Sequence, residues 1–149
     1  MWLVLSAGPA AAADRVTEWA LLPDSLGHGS ANWHSLAIMH QAMHDARNAA
    51  RSACAGWVPA AADEPPVNGA VPEAAQAAAA RRVLTAEHPD GQDAIEQTYH
   101  AALNWLPGTP EREAGVALGD AIGIAAQARR ANDGLRSVRP LPVASALVV

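Results

Sequence analysis

The chain has 149 residues and a formal net charge of −5, and this length predicts a single domain of the usual ~100–200 residues. The lone cysteine, Cys54, excludes a disulfide scaffold, and the absence of lysine excludes a P-loop and Schiff-base chemistry. A pI of 5.6 argues against a basic nucleic-acid-binding protein, so no nucleic-acid partner is expected. No apolar run approaches the ~20 residues that span a bilayer, so no transmembrane segment is expected.

Alanine dominates the composition with 37 residues, while phenylalanine is absent. Because alanine is the best helix former and fills little space, the composition favours closely spaced helices over sheets. The sequence therefore predicts an all-α fold, an alanine-rich bundle of about four main helices with a short N-terminal helix. We divide the chain into an apolar N-terminus over 1–13, a helical domain over 14–134 and an irregular, disordered tail over 135–149.

The two ends differ in character from the middle of the chain. Residues 1–13 are apolar and finish in an alanine run, which resembles the back half of a signal peptide and points to export, periplasmic or secreted. Residues 135–149 lack helical periodicity, contain Pro140 and Pro142, and finish on apolar residues. A dangling apolar segment favours association, so a truncation or frame change near residue 135 is expected.

Helix start and stop signals place the first two elements. A short helix is predicted over Arg15–Leu22, ahead of Pro23. The first main helix is predicted over Ala31–Cys54, with Ser30 or Asn32 as its N-cap. Its apolar residues cover much of the circumference, which predicts that this helix lies at the centre of the bundle.

Proline and glycine mark the ends of the next three helices. The second main helix is predicted over Pro72–Glu87, with Pro89 ending it. The third follows Asp90 and runs to Leu106. Its apolar stripe consists of Ile95, Tyr99, Ala102 and Leu106.

The fourth main helix has the strongest start signal, Thr109 as a capping hydroxyl followed by Pro110, and it is predicted to reach Ala131 or Asn132. It carries three glycines spaced by four, which lie on one helical face: Gly115, Gly119 and Gly123. Because each interior glycine costs about 1 kcal/mol in a helix, this face predicts close backbone approach by a neighbouring helix. A weak, frayed helix is the alternative.

Histidine spacing raises a metal hypothesis. His40 and His44 are four residues apart on one predicted helix, a spacing that permits shared coordination. Glu96 and His100 have the same spacing on the third main helix. The Glu-x-x-His pattern of metal sites inside helical bundles is absent, and arginines lie close to His40 on the helical wheel. These features favour histidines that are hydrogen-bonded or solvated.

Structural or solvent-exposed roles, rather than catalytic ones, are expected for the other polar and reactive residues. Asp45 and Asn48 lie within an alanine-rich helix, and we expect Asp45 to pair with an arginine or to cap a neighbouring helix. Arg81 and Arg82 point about 100° apart on a helix, so a solvated face is expected rather than an anion clamp. Cys54 is expected at a helix C-terminus, where the dipole disfavours a thiolate.

Three segments together resemble a known family. Leu36–Ala49 resembles the N-terminal helical signature of bacterial vanadium-dependent haloperoxidase-like proteins, which are relatives of the type 2 phosphatidic acid phosphatases. Ala77–Leu84 resembles the next helix of that family, and Ala114–Gly119 with Arg130–Gly134 resembles a later one. The resemblance spans about Val16 to Gly134. The matched signature positions are His40, Ala42, Met43, Asp45, Ala46, Asn48 and Ala49.

The family's oxyanion-binding segments have no counterpart in this sequence. In the family, vanadate or phosphate is held by Lys…Arg-Pro, Pro-Ser-Gly-His and Ser-Arg…His…Asp segments. The resemblance therefore implies the structural N-terminal part of a haloperoxidase or acid phosphatase, catalytically incomplete, with no catalytic or cofactor-binding residue and with vanadate only in a complete member. Halide oxidation and phosphate-ester hydrolysis both stay open for such a member.

The expected partner follows from this interpretation. It is either the missing C-terminal half or a second copy, bound through the apolar and glycine-bearing face. Two alternatives remain, a stand-alone helical protein-interaction module and a small metal-binding bundle that uses His40, His44, Glu96 and His100.

Overall fold

The computed structural model describes residues 14–26, 30–51 and 70–131. Within these ranges the chain forms helices without any strand, which confirms the all-α prediction. A 3-10 turn at Pro89–Gly91 connects the third and fourth helices. The predicted segments 1–13 and 135–149, and Cys54, lie outside the described residues. The helices are α1 (Asp14–Leu26), α2 (Ser30–Arg51), α3 (Pro72–Glu87), α4 (Gln92–Leu103) and α5 (Pro110–Arg130).

Local signals placed α3 and the start of α5 correctly. Helix α3 begins at Pro72 and ends at Glu87, as predicted. The backbone N–H of Arg112 donates to Thr109 Oγ1 at 3.4 Å, so the predicted hydroxyl cap of α5 is present. These signals succeed because proline and a capping hydroxyl act within a single helical turn.

Two predicted helix ends are wrong. Helix α1 continues through Pro23 to Leu26, because the proline side chain is fully buried and its packing outweighs the lost backbone hydrogen bond. The Ser25 hydroxyl donates to the Leu22 carbonyl at 2.7 Å and so satisfies one group near this helix end. Helix α4 ends at Leu103 rather than Leu106, and a turn closed by a hydrogen bond from Leu106 N to Leu103 O follows it.

The centre of the bundle is α3, and the prediction that the first main helix is central is therefore wrong. Helix α3 packs against α2, α4 and α5, and its most extensive contact is with α5. Alanine methyl groups allow helices to approach from several sides at once, whereas larger side chains would hold them apart. The buried residues of α3 are Ala74, Ala75, Ala77, Ala78, Ala79, Ala80, Val83 and Leu84.

The three glycines of α5 face α3, and we call this contact the glycine seam. A Cβ atom at Gly119 would overlap the carbonyl oxygen of Ala75, and one at Gly115 would lie 2.6 Å from the carbonyl oxygen of Val71. The predicted close backbone approach is confirmed. The expectation that the glycine face is open to a partner is wrong, because α3 of the same chain covers it.

Larger side chains complete the core around α3. Helix α4 buries Ile95, Tyr99 and Ala102 of the predicted stripe, and Leu106 is buried in the turn that follows α4. Helix α1 adds Trp19, which is 2% exposed. Helix α2 adds Met39 and Met43. In the described part of the chain, no helix is long and apolar enough to cross a membrane.

Candidate functional site

The two faces of α2 separate the residues that carry the family resemblance. Ala42, Met43 and Asp45 are buried against the rest of the bundle. His40 and His44 are exposed, and Asn48 is half-buried. The buried residues of the signature therefore pack within the bundle, whereas the histidine of the signature, His40, faces solvent.

Asp45 has a fully buried carboxylate, which is unusual for an acidic residue. Its Oδ1 lies 3.4 Å from Nδ1 of His44, whose side chain is 67% exposed. The Asn48 amide nitrogen lies 3.1 Å from Nε2 of the same ring. The same amide nitrogen lies 3.3 Å from Nδ1, so it lies over the face of the His44 ring, while the Asp45 carboxylate lies beside Nδ1.

Arg47 connects α2 to α3. Its Nη1 donates to Gln76 Oε1 at 2.9 Å and lies 3.8 Å from Glu73 Oε1. Both carboxylate and guanidinium are about one-third exposed, so the pair adds specificity to the contact more than stability.

A second polar cluster connects α3 to α4. The Arg81 Nε donates to Glu96 Oε1 at 2.6 Å, and the guanidinium carbon lies 4.8 Å from the centroid of the Tyr99 ring. The other carboxylate oxygen of Glu96 lies 3.8 Å from His100 Nε2. The prediction of a solvated face is therefore wrong for Arg81, which a partner helix recruits, although Arg82 is exposed.

Tyr99 is the chain's single tyrosine and lies at the buried edge of this cluster. Burial raises the pKa of its phenol above the ordinary value, and the charge of Asp120 acts in the same direction. The guanidinium of Arg81 opposes this shift by favouring the phenolate. The hydroxyl therefore stays protonated at neutral pH, where it offers no nucleophile or base.

The four candidate metal ligands are divided between two helices. His40 and His44 lie on α2, whereas Glu96 and His100 lie on α4, and these two helices are not among the packed pairs. Among the residues that the structure describes, no three His, Cys, Asp or Glu side chains form a group that could hold a metal ion. The structure does not bring the four together, because α3 separates the two helices.

One small cavity lies between α1, α2, α3 and the end of α4. It measures about 30 Å³, which is room for one or two water molecules. Its walls are mostly apolar, with the Arg47 pair at the rim. The lining residues include Trp19, Met43, Ala77, Ala102 and Trp105.

A larger cleft of about 270 Å³ lies where the N-terminal part of α2 meets the C-terminal ends of α3 and α5. His34, Glu87 and Arg130 line it. An Arg130 nitrogen donates to Gln41 Oε1 at 3.2 Å, which connects α5 to α2. Sequence reasoning missed this cleft, and the one local signal was the arginine pair in the last turn of α5, where cations favour the helix dipole.

Among the described residues, the geometry therefore offers packing contacts and three separate side-chain contacts from arginines that connect helices. Arg47, Arg81 and Arg130 each connect a different pair of helices, and each guanidinium is engaged by a side chain of the bundle. Such dispersed cations do not form one anion-binding cluster. Compared with protein-family models, with curated proteins and with solved structures, the chain matches none of them.

Proposed function

We propose that this chain is a structural, non-catalytic helical unit, equivalent to the N-terminal helical part of a vanadium haloperoxidase-like or acid phosphatase-like protein. One observation carries the proposal. The deeply buried residues of the signature on α2, Met43 and Asp45 among them, are packing residues of the bundle rather than the lining of a substrate-sized cavity. Because the buried signature residues of α2 pack in the core, they support a structural role for this helix.

The distribution of arginines supports the same proposal. Chemistry on vanadate or phosphate needs several cations and hydrogen-bond donors directed at one tetrahedral oxyanion. Here Arg47 is bound to Gln76 on α3, and Arg81 is bound to Glu96 on α4. Each guanidinium would have to leave an inter-helix contact before it could reach a shared anion.

The proposal is tested by vanadate binding and by turnover. Purified chain is titrated with orthovanadate and followed by vanadium-51 NMR, with bromide oxidation by peroxide and p-nitrophenyl phosphate hydrolysis assayed in parallel. We expect no protein-dependent change in the vanadate signal and no turnover above the buffer blank. Vanadate binding together with turnover that co-elutes with the chain and falls in Arg81→Gln would overturn the scaffold proposal.

A second candidate function is a helical protein-interaction module, and the exposed apolar side chains favour it. Trp33 is 77% exposed and Leu21 is 62% exposed, and exposed tryptophan is enriched at protein interfaces. Under this function the chain associates with a second copy of itself.

Sedimentation velocity over a range of protein concentrations tests the second function. A concentration-dependent dimer that Trp33→Ser weakens would support it. A monomer at every concentration, with an unchanged profile in Trp33→Ser, would count against self-association. Ala117→Ser, at an exposed position on α5, is the matched surface control.

A further inference from the structure

We propose that His40 and His44 form a surface site on α2 for a divalent cation of the late first-row transition metals, with Zn²⁺ as the reference ion. This inference goes beyond the scaffold function and does not use Glu96 or His100. Both histidines are exposed, and they lie one helical turn apart on the same face. Side chains at this spacing have Cβ atoms about 5–6 Å apart, so both imidazoles can reach one ion.

The buried carboxylate of Asp45 supplies the second argument. Histidines that bind metals commonly donate their other ring N–H to a carboxylate, which fixes the ring and raises its basicity. Asp45 Oδ1 lies 3.4 Å from His44 Nδ1, and the carboxylate itself is held by complete burial. A proton on Nδ1 leaves Nε2 as the nitrogen with a free electron pair for a cation.

Asn48 extends the same face by one more turn. Its amide nitrogen lies 3.1 Å from His44 Nε2 and 3.3 Å from Nδ1, so it lies over the ring and outside the in-plane direction of the Nε2 electron pair. Asn48 therefore leaves the electron pair of Nε2 accessible, and water fills the remaining coordination positions of a bound cation.

The nearest arginine on α2 is directed away from this face. Arg47 binds Gln76 and Glu73 on α3, which engages its charge on the buried side of the helix. Arg51 is exposed in the last turn and lowers the affinity for any cation. Neutral imidazole ligands with open coordination positions suit Zn²⁺, Cu²⁺ and Ni²⁺ better than Mg²⁺ or Ca²⁺.

Equilibrium dialysis of the tag-free full chain against Zn²⁺ tests the site. His40→Gln and His44→Gln are each expected to lower Zn²⁺ affinity at least tenfold. The matched control is His100→Gln, since that side chain is 69% exposed, close to the 67% of His44, but lies beside Glu96 on α4. Unchanged binding in His44→Gln, an equal loss in His100→Gln, or no Zn²⁺ binding by the wild type would each overturn the proposal.

Thermal unfolding gives a second readout that does not depend on metal counting. A cation that bridges two turns of α2 stabilises the folded chain, because it binds the folded state preferentially. Zn²⁺ is therefore expected to raise the Tm of the wild type and of His100→Gln, but not that of His40→Gln or His44→Gln. Equal Tm shifts in all four proteins would contradict the assignment. Both substituted histidines are exposed, so their variants are expected to fold.

Discussion

The glycine seam and the attachment of α1 show two different ways of joining helices. In the seam, Gly115 and Gly119 allow the backbones of α5 and α3 to come into direct contact. Helix α1 instead packs on α2 and α4 through a few large groups, chiefly Trp19 and Pro23, while Leu21 stays exposed. The same chain thus has one interface based on shape and one based on anchoring side chains.

The difference explains how a chain with few large aliphatic residues can form a core. Dispersion attraction depends on the number of atoms at contact distance, and backbone atoms that pack on backbone atoms contribute as fully as side chains do. The seam obtains this contact without large side chains. It follows that the seam tolerates added volume poorly, whereas the exposed side of α1 tolerates most changes.

Among changes to the glycine seam, the largest expected effect is at Gly119. Helix propensity alone predicts that Gly119→Ala stabilises α5 by about 1 kcal/mol. The added Cβ would instead overlap the backbone carbonyl of Ala75, which cannot rotate away. Overpacking of up to about 3 kcal/mol should outweigh the propensity gain, so we expect a net loss of about 1–2 kcal/mol. Urea unfolding followed by circular dichroism measures the change.

Gly108→Ala is the control for this prediction. There the added Cβ would meet only an Arg112 guanidinium nitrogen at 3.5 Å, an ordinary contact with a flexible side chain. Wild-type stability in Gly119→Ala would mean that the backbones of α3 and α5 are farther apart than described.

The N-cap of α5 should contribute less to the free energy of unfolding than the packing at Gly119. Thr109→Ala removes the side-chain acceptor for the Arg112 N–H and should lower the free energy of unfolding by about 1 kcal/mol. The same substitution at Thr98, whose hydroxyl donates to the Ala94 carbonyl inside α4, should be neutral or slightly stabilising. Equal losses in both variants, measured by urea unfolding, would argue against a specific role for the cap.

The contact between α3 and α4 is tested at high pH. Burial raises the folded-state pKa of Tyr99 above the unfolded value of 10.0, so the folded state retains this proton longer. Stability from this group is therefore complete below pH 10 and decreases as the pH rises through the folded-state pKa. Tyr99→Phe should remove this decrease in the free energy of unfolding above pH 10. At pH 7 the phenol is protonated in both the folded and the unfolded state, so its ionisation contributes nothing to the difference between the two proteins there.

The titration of the phenol can be followed directly, because Tyr99 is the single tyrosine. The change in phenolate absorbance should have its midpoint above pH 10.0 in the folded chain. Arg81→Met should move the midpoint further up, since the guanidinium favours the phenolate. A downward movement in that variant would contradict the described contact.

The smallest effect is expected on the exposed side of α1. Leu21→Ala removes a side chain that is 62% exposed, so the free energy of unfolding should change by less than about 0.5 kcal/mol. The same substitution at Leu84, which is fully buried in α3, should cost about 2–5 kcal/mol. A large loss in Leu21→Ala, measured by urea unfolding, would mean that this face of α1 contributes to packing.

Local chemistry made part of the fold predictable. The bounds of α3 and the start of α5 depend on proline and a capping threonine, which act within one turn, and the glycine spacing indicated close helix approach. The sequence could not indicate that α3 would be the partner, because that depends on how several helices pack together. Pro23 and Arg81 were misjudged for the same reason, since burial of one and recruitment of the other by Glu96 are tertiary effects.

The candidate site was less predictable than the fold. The spacing of His40 and His44 is visible in the sequence, but the position of Asp45 beside the His44 ring depends on side-chain conformation. Separation of Glu96 and His100 from these histidines depends on α3 lying between their helices. The cleft beside Arg130 required three helix ends to meet, which no local pattern encodes.

Amide hydrogen exchange of the whole chain, resolved by mass spectrometry, tests most directly whether the structure is organised around the glycine seam. Amides in α3 and the facing part of α5 should exchange most slowly, through global unfolding, while α1 should exchange through local opening of lower free energy. Gly119→Ala should accelerate exchange in α3 and α5 together. Slowest exchange in α1, or an acceleration confined to α5, would contradict a bundle whose stability centres on this contact.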